Sequence, residues 1–72
     1  MLVGEIQKNT RERIRVTIEE FKGHKFIDLR VYYSDSEGTW RPTPKGIVLT
    51  QSIIDEVMEL LTQGHETLRS TL

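Results

Sequence analysis

Cationic and aromatic side chains lie close together in the middle of the sequence, a combination that can bind the phosphates and bases of a nucleic acid. Cations neutralise phosphates, while rings stack on bases at about 1–3 kcal/mol per base. The same residues can instead pack across strands or form the hot spot of a protein interface. A nucleic-acid-binding module and a protein-interaction domain therefore both stay open. The rings are Phe21, Tyr32, Tyr33 and Trp40, and the cations are Arg13, Arg15, Lys22, Lys25, Arg30, Arg41 and Lys45.

No motif in the sequence indicates catalysis or metal binding. There is no nucleophile motif and no glycine-rich phosphate loop. The chain has no cysteine, and His24 and His65 lack the spacing of metal ligands. We therefore predict that the protein is not an enzyme and has no metal site or cofactor. No apolar run approaches the roughly 20 residues of a membrane span and no signal pattern opens the chain, so we expect a cytoplasmic protein without membrane contact.

Charge is distributed unevenly along the chain. The formal net charge is −1 at pH 7, which argues against a strongly basic nucleic-acid binder. Residues 1–49 nevertheless hold nine basic and seven acidic residues, whereas residues 50–72 hold one basic and four acidic residues. The positive excess indicates where an anion-binding surface would lie, although an ordinary mixed-charge surface explains the same counts.

Alternating side chains predict four β-strands, at about residues 2–8, 12–21, 24–34 and 39–42. Aliphatic residues at 14, 16 and 18 alternate with polar ones, which is the period of a strand with one buried face. Lys22-Gly23 provides a tight turn, and Gly38 suits a longer hairpin loop. Pro42 and Pro44 limit the fourth strand, because proline cannot donate a hydrogen bond to a sheet, and they indicate an edge strand or an irregular crossing loop through Lys45-Gly46.

A helix is predicted over about residues 51–63. Apolar residues recur at helical spacing from Ile53 to Leu61, Thr50 or Ser52 can cap the start, and Gly64 is the expected stop. Four strands followed by one helix indicate a single α+β domain over residues 1–72, with the helix packed on one face of an antiparallel sheet. The helix should cover the aliphatic residues at 14, 16, 18, 27, 29 and 31.

The other sheet face should stay open, and the chain should form a homodimer. A chain of 72 residues buries only about 60% of the surface that its unfolded form exposes, so it needs further stabilisation. Without cysteines or a metal cluster, association with a second copy is the remaining route. The open face would carry Arg13, Arg15, Phe26, Arg30 and Tyr32.

The segment Phe21–Leu49 resembles the core of a known family. It reads FKG, IDLR, two tyrosines, D-x-EG, RP and KGIVL, in this order and without a gap. The transcriptional positive cofactor four family has the pattern FKG, IDIR, Y-W, DPEG, KP and RKGISL. The resemblance implies a homodimeric, non-catalytic protein that binds single-stranded DNA in transcription or genome maintenance. The chain looks like the short bacterial members, which implies association with the nucleoid.

The resemblance also implies particular DNA contacts. Phe21 and Tyr33 match stacking rings, with tyrosine in place of the family's tryptophan. Pro44 replaces one basic residue of the family's basic pair, which removes a phosphate contact. RNA or unwound duplex on the same face stays open, because contacts to the 2′-hydroxyl cannot be read from sequence. The full predicted set of nucleic-acid-binding residues is Arg13, Arg15, Phe21, Lys22, His24, Lys25, Arg30, Tyr33, Trp40, Arg41 and Lys45.

Alternation and resemblance disagree about two neighbouring rings. Strict alternation places Tyr32 on the open face and Tyr33 with the aliphatic residues. The resemblance makes Tyr33 the DNA contact. A β-bulge near Tyr33 would reconcile the two predictions.

Overall fold

The computed structural model describes residues 1–71, which form four strands and one helix. The strands are β1 (Leu2–Gln7), β2 (Glu12–Phe21), β3 (His24–Ser34) and β4 (Trp40–Thr50), and helix α1 spans Ile54–Ser70. The strands lie side by side in chain order, and each pairs antiparallel with its neighbour. The predicted α+β class, with a four-stranded antiparallel sheet followed by a C-terminal helix, is confirmed.

The β2–β3 hairpin has an unbroken register that defines the two sheet faces. Partners run from Phe21 opposite His24 to Glu12 opposite Tyr33. The two-residue turn places Lys22 at φ 52° and Gly23 at φ 80°. Positive φ angles at both central residues are typical of a type I′ turn, whose twist matches that of the flanking strands. Glycine adopts this backbone without a steric cost, and lysine adopts it less readily.

Strand β4 is longer than predicted. It continues through both prolines, which the prediction had placed at its limit. The strand is at the edge of the sheet, where a missing N–H can face solvent instead of a partner strand. The register shifts between the pairs Arg30–Gly46 and Tyr32–Pro42, so β4 bulges over residues 43–45. The Thr43 hydroxyl donates to the Val31 carbonyl at 2.7 Å, which bonds the bulge to β3.

Helix α1 begins later and ends later than predicted. Its N-cap is Ile53, which provides no capping side chain, while the hydroxyls of Thr50 and Ser52 bond each other at 3.0 Å. Neither predicted cap therefore forms. Gly64 lies inside the helix, where it lowers helix stability by about 1 kcal/mol relative to alanine but does not end the helix. The last turn ends at Thr71, whose N–H bonds the carbonyls of Leu68 and Thr67.

The apolar face of the sheet stays only partly covered in a single chain. A cleft of about 260 Å³ lies between this face and α1, with Leu29 and Leu49 on the sheet side and Val57 and Leu61 on the helix side. Leu49, 6% exposed, is the one buried apolar residue among those described, and α1 buries none of its residues. The expectation that the helix of one chain would cover this face is therefore wrong.

The chain is also flat and open for its mass. Its accessible surface is 5999 Å², whereas a compact monomer of 8.4 kDa would expose about 4,600 Å². Its radius of gyration is 14.4 Å, compared with about 11 Å for a compact domain of this length. Much of the excess surface is apolar and lies on α1 and the strand edges. Within residues 1–71, no helix combines the length and the apolar character that a bilayer crossing needs.

Candidate nucleic-acid interface

The sheet face turned away from α1 carries arginines stacked on aromatic rings. Alternation and register place Arg13 and Arg15 of β2 on the same side as Tyr32 of β3. The Arg13 guanidinium carbon lies 4.2 Å from the centroid of the Trp40 ring, and that of Arg15 lies 4.7 Å from the Tyr32 ring. Both distances are within the range of cation–π attraction. We call this side, with Glu5, Arg13, Arg15, Tyr32 and Trp40, the arginine face.

A carboxylate from the edge strand bridges the two arginines. Glu5 of β1 stands opposite Arg15. Its Oε1 accepts a hydrogen bond from Arg15 Nε at 2.9 Å, and its Oε2 accepts one from Arg13 Nη1 at 2.7 Å. The three side chains are between 23% and 35% exposed. Water therefore reaches the ion pairs, and each contributes modestly to stability.

Arg30 is held by contacts within the chain. Its guanidinium donates to both oxygens of Asp28, at 3.0 and 3.1 Å, and to the carbonyl of Thr43 at 2.8 Å. The Asp28 hydrogen bonds raise the pKa of Arg30 above its ordinary value. Because Thr43 belongs to the bulge, Arg30 ties β4 to β3. A phosphate contact by Arg30 stays a prediction.

Gly46 leaves the space that the Arg30 guanidinium occupies. A Cβ atom at position 46 would lie 2.6 Å from Arg30 Cζ, closer than real carbon contacts allow. We expect Gly46→Ala to displace this flexible side chain, break its bond to Thr43 and lower the Tm by a few degrees, roughly 3–8 °C for a domain of this size. Thermal denaturation followed by circular dichroism measures the effect.

A double-mutant cycle with Arg30→Gln tests this explanation. Because both changes remove the same contact, their combined effect on the Tm should be smaller than the sum of the two single effects. Gly64→Ala is the matched control, because nothing lies within 4 Å of its added methyl group and the site is helical. Additive effects of Gly46→Ala and Arg30→Gln would contradict the coupling.

The β3–β4 loop fixes Arg41 through a carboxylate. Asp35 accepts hydrogen bonds from the backbone N–H groups of Glu37 and Thr39, both at 2.9 Å, and from Arg41 Nε at 2.6 Å. The Arg41 hydrogen bond, followed by the Thr39 backbone bond, holds the pKa of Asp35 below its ordinary value. Arg41 thus closes the loop while over half of its side chain stays exposed.

Three lysines of the predicted site are unpaired within the part of the chain that the structure describes, two of them near the β2–β3 hairpin turn and one in the middle of β4. The Lys22 ammonium lies 5.3 Å from the centroid of the Phe21 ring, and Phe21 is 66% exposed at the tip of the β2–β3 hairpin. Lys25 follows on β3, and Lys45 lies in the β4 bulge. Across residues 1–71 these three lysines take part in no ion pair. Among the cations of the predicted site, they are the most available to an anionic ligand.

The structure brings together only part of the predicted site. Arg13, Arg15 and Trp40 meet on the arginine face, while Phe21, Lys22 and His24 cluster at the hairpin tip. By register, Lys25, Tyr33 and Arg41 fall on the apolar side, where Lys45 also lines a cleft with Ile14 and Leu29. Their DNA contacts stay predictions.

Tyr32, absent from the predicted set, is the ring that stacks with Arg15. Strict alternation was the signal that placed it on this face. The expected bulge near Tyr33 is not in β3, whose register with β2 is unbroken, but in the facing part of β4. A bulge in β4 does not change the side on which a β3 residue points, so Tyr32 and Tyr33 keep the sides that alternation gives them.

Comparison with known proteins identifies the family. A family model described as Transcriptional Coactivator p15 (PC4) matches residues 8–60, which is most of the chain. The chain belongs to the PC4 family. The RNA polymerase II transcriptional coactivator SUB1 of Saccharomyces cerevisiae is 41% identical over 56 residues, covering 76% of this chain and 19% of the yeast protein. The chain therefore spans about a fifth of the length of this PC4 relative.

Solved structures share the PC4 fold with this chain. A PC4 homolog from Burkholderia pseudomallei is 25% identical, with a TM-score of 0.83 over 90% of this chain and 88% of the other. The MoSub1–DNA complex is 26% identical, with a TM-score of 0.65 over 94% of this chain and 83% of the other. The resemblance inferred from Phe21–Leu49 is thus confirmed by both sequence and fold.

Proposed function

We propose that this PC4-family chain is a non-catalytic domain that binds single-stranded DNA with little sequence preference, as a homodimer, in transcription or genome maintenance. The observation that carries the proposal is the arginine face, where two guanidinium groups lie on two aromatic rings. The crystal structure of the related MoSub1 protein in complex with DNA supports a DNA ligand for this chain. The coactivator activity of the yeast relative supports a role in transcription.

Phosphate neutralisation would begin with the unpaired lysines. Lys22 and Lys45 lie at the hairpin tip and the β4 bulge, where a strand can approach without breaking an existing ion pair. Arg13 and Arg15 have donors beyond those that Glu5 uses, because a guanidinium carries five N–H groups. Lys22, Arg15 and Arg13 follow β2 from the hairpin tip toward its start, which gives a single strand a path of positive charge along one side of the sheet.

Base stacking would use the rings beside these cations. Phe21 is two-thirds exposed at the hairpin tip and offers an open ring. Tyr32 and Trp40 are each covered on one side by an arginine, and a base can stack on that side of the ring once the arginine moves to a phosphate. Stacking tolerates any base, which accounts for the low sequence preference.

A second copy of the chain would cover the apolar side. The exposed surface exceeds that of a compact monomer by about 1,400 Å² per chain, and an interface of about 2,800 Å² in total is of the size found in obligate homodimers. Met58 and Leu61 of α1 are 59% and 62% exposed, and Ile47 of the sheet is 53% exposed. In a dimer, the two arginine faces would remain free for two strand segments.

A salt titration tests the proposal. We expect the anisotropy of a labelled poly-dT oligonucleotide to show binding at low salt, with log K falling by about 0.7 per tenfold salt increase for each phosphate neutralised. Duplex DNA and RNA of matched length serve as competitors, and RNA that competes equally would favour the RNA-binding alternative. Absence of binding at low salt would contradict the proposal and leave the protein-interaction alternative.

A further inference from the structure

We infer that Glu5 is an internal competitor for phosphate, which keeps the arginine face closed until a nucleic acid replaces its carboxylate. The inference rests on the proposed function, because it concerns how that same face accepts its ligand. It assigns a role in tuning affinity to a residue of β1 that lies outside the segment Phe21–Leu49.

The Glu5 carboxylate makes the contacts to the two arginines that a bound phosphate would make. Each carboxylate oxygen accepts from a different arginine, Oε1 from Arg15 at 2.9 Å and Oε2 from Arg13 at 2.7 Å. A phosphate diester also presents two charged oxygens, and guanidinium groups bind carboxylates and phosphates through the same donors. A phosphate that takes this position must displace the Glu5 carboxylate, since the two anions repel each other.

The same carboxylate holds the arginines over the rings. Arg13 bonds Glu5 while lying 4.2 Å from the Trp40 centroid, and Arg15 bonds Glu5 while lying 4.7 Å from the Tyr32 centroid. One side of each ring is therefore occupied in the free protein. When phosphates draw the two arginines away from Glu5, those ring sides become accessible to bases. Loss of the Glu5 bridge thus opens phosphate donors and stacking surfaces together.

The bridge is weak enough to exchange. Glu5 and Arg13 are 31% and 35% exposed, and exposed ion pairs contribute little because water screens them. A polyanion that brings many phosphates can therefore replace a single carboxylate. The paired Glu5 also reduces the charge that the two arginines present from two to one, which should weaken the first contact with a strand.

Glu5→Gln tests the inference, because it keeps the shape of the side chain and removes its charge. We expect this variant to bind a labelled poly-dT oligonucleotide about three- to tenfold more tightly than the wild type at moderate salt. The salt dependence should become steeper by up to about 0.7 for each additional phosphate contact. Thermal denaturation confirms that the variant folds.

Glu19→Gln is the matched control. Glu19 lies on β2 with the same alternation as Arg13 and Arg15, is exposed, and takes part in no ion pair within residues 1–71. The control removes one negative charge from the same side without breaking a bridge. A gain for Glu5→Gln that exceeds the gain for Glu19→Gln supports the competitor role. Equal gains would mean that only net charge matters and would overturn it.

Two further measurements separate the inference from the proposed function. In an Arg13→Gln/Arg15→Gln background, Glu5→Gln should give no gain beyond that of Glu19→Gln, because the bridge is already absent. Trp40 is the only tryptophan, so its fluorescence should change in Glu5→Gln without DNA as Arg13 is released. Suppose that the wild type binds DNA, that Glu5→Gln still shows the extra gain in the Arg13→Gln/Arg15→Gln background, and that the Trp40 fluorescence does not change. The competitor role then fails and the proposed function stands. If the wild type and Glu5→Gln both fail to bind DNA, the competitor role and the proposed function are both wrong.

Discussion

Leu61→Asp should dissociate the proposed homodimer and unfold the chain, the largest effect that we expect from a single substitution. Leu61 lines the cleft between α1 and the sheet, together with Val57 and Leu49, yet it is 62% exposed in one chain. A second copy would bury it. The aspartate would then place an unpaired carboxylate among apolar groups, which is unfavourable by several kcal/mol.

The chain has little stability in reserve against this loss. Leu49 is the one buried apolar residue within residues 1–71, so the proposed dimer would supply most of the hydrophobic stabilisation. Truncating a leucine buried in an interface of this kind costs about 2–5 kcal/mol before any charge is added. A domain of this length has a total stability at or below about 5 kcal/mol without such support.

Light scattering after size exclusion at micromolar concentration measures the association, and circular dichroism measures the folding. We expect a dimer for the wild type, with a Tm that rises with protein concentration, and no cooperative transition for Leu61→Asp. Gln63→Asp is the matched control, because it adds the same charge two residues later, on the outer side of α1. A Leu61→Asp variant that stays folded as a monomer would contradict the dimeric architecture.

The sequence predicted those elements of the fold that local residue patterns determine. Alternation at Ile14, Val16 and Ile18 requires a strand with one buried side, and Lys22-Gly23 supplies the backbone that a two-residue hairpin turn needs. These local signals, with the helical spacing of apolar residues after Ile53, were enough to give the fold class.

Elements that depend on neighbours in space were predicted less well. Pro42 and Pro44 indicated an edge strand or a crossing loop, and β4 is an edge strand that continues past both prolines to Thr50. Gly64 stops a helix when the chain turns there, whereas α1 continues to Ser70 because its intrahelical bonds continue. Neither outcome can be read from the residue itself.

The candidate site was predicted in its residue types but not in its ion pairs. Alternation placed Tyr32 with the arginines, whereas the family pattern drew attention to Tyr33. The pairing of Glu5 with Arg13 and Arg15 depends on the β1–β2 register, which shifts between Leu2 and Gly4. A register different by one residue would place Glu5 on the apolar side. The sequence therefore indicates the cations without showing which are already occupied.

Replacing both Arg13 and Arg15 by glutamine should weaken binding to poly-dT by on the order of 10- to 100-fold at low salt. A hydrogen bond to a charged group is worth roughly 1.5–3 kcal/mol, but each arginine gives up a Glu5 ion pair on binding and is partly exposed, so we expect about 0.7–1.4 kcal/mol per contact, where one tenfold change corresponds to about 1.4 kcal/mol. Loss of two phosphate contacts should also reduce the salt slope by about 1.4. Because both side chains are partly exposed, the fold should persist.

Lys8→Gln/Arg69→Gln is the matched control for this double substitution. It also removes two positive charges, one from the β1–β2 loop, where Lys8 pairs with Glu12, and one from the last turn of α1, away from the arginine face. We expect this control to lose only a few-fold in affinity through the weaker long-range field, with little change in salt slope. Anisotropy titrations at several salt concentrations measure both quantities.

Equal losses in the two double variants would mean that the arginine face does not contact the strand. The contacts would then have to come from the hairpin tip, where Lys22 is unpaired, or from Tyr33, Arg41 and Lys45 on the apolar side. The second possibility conflicts with a homodimer that covers the apolar side, because a surface buried between two chains cannot bind DNA. A loss confined to Arg13→Gln/Arg15→Gln is therefore the result that makes the dimer and the DNA-binding surface compatible.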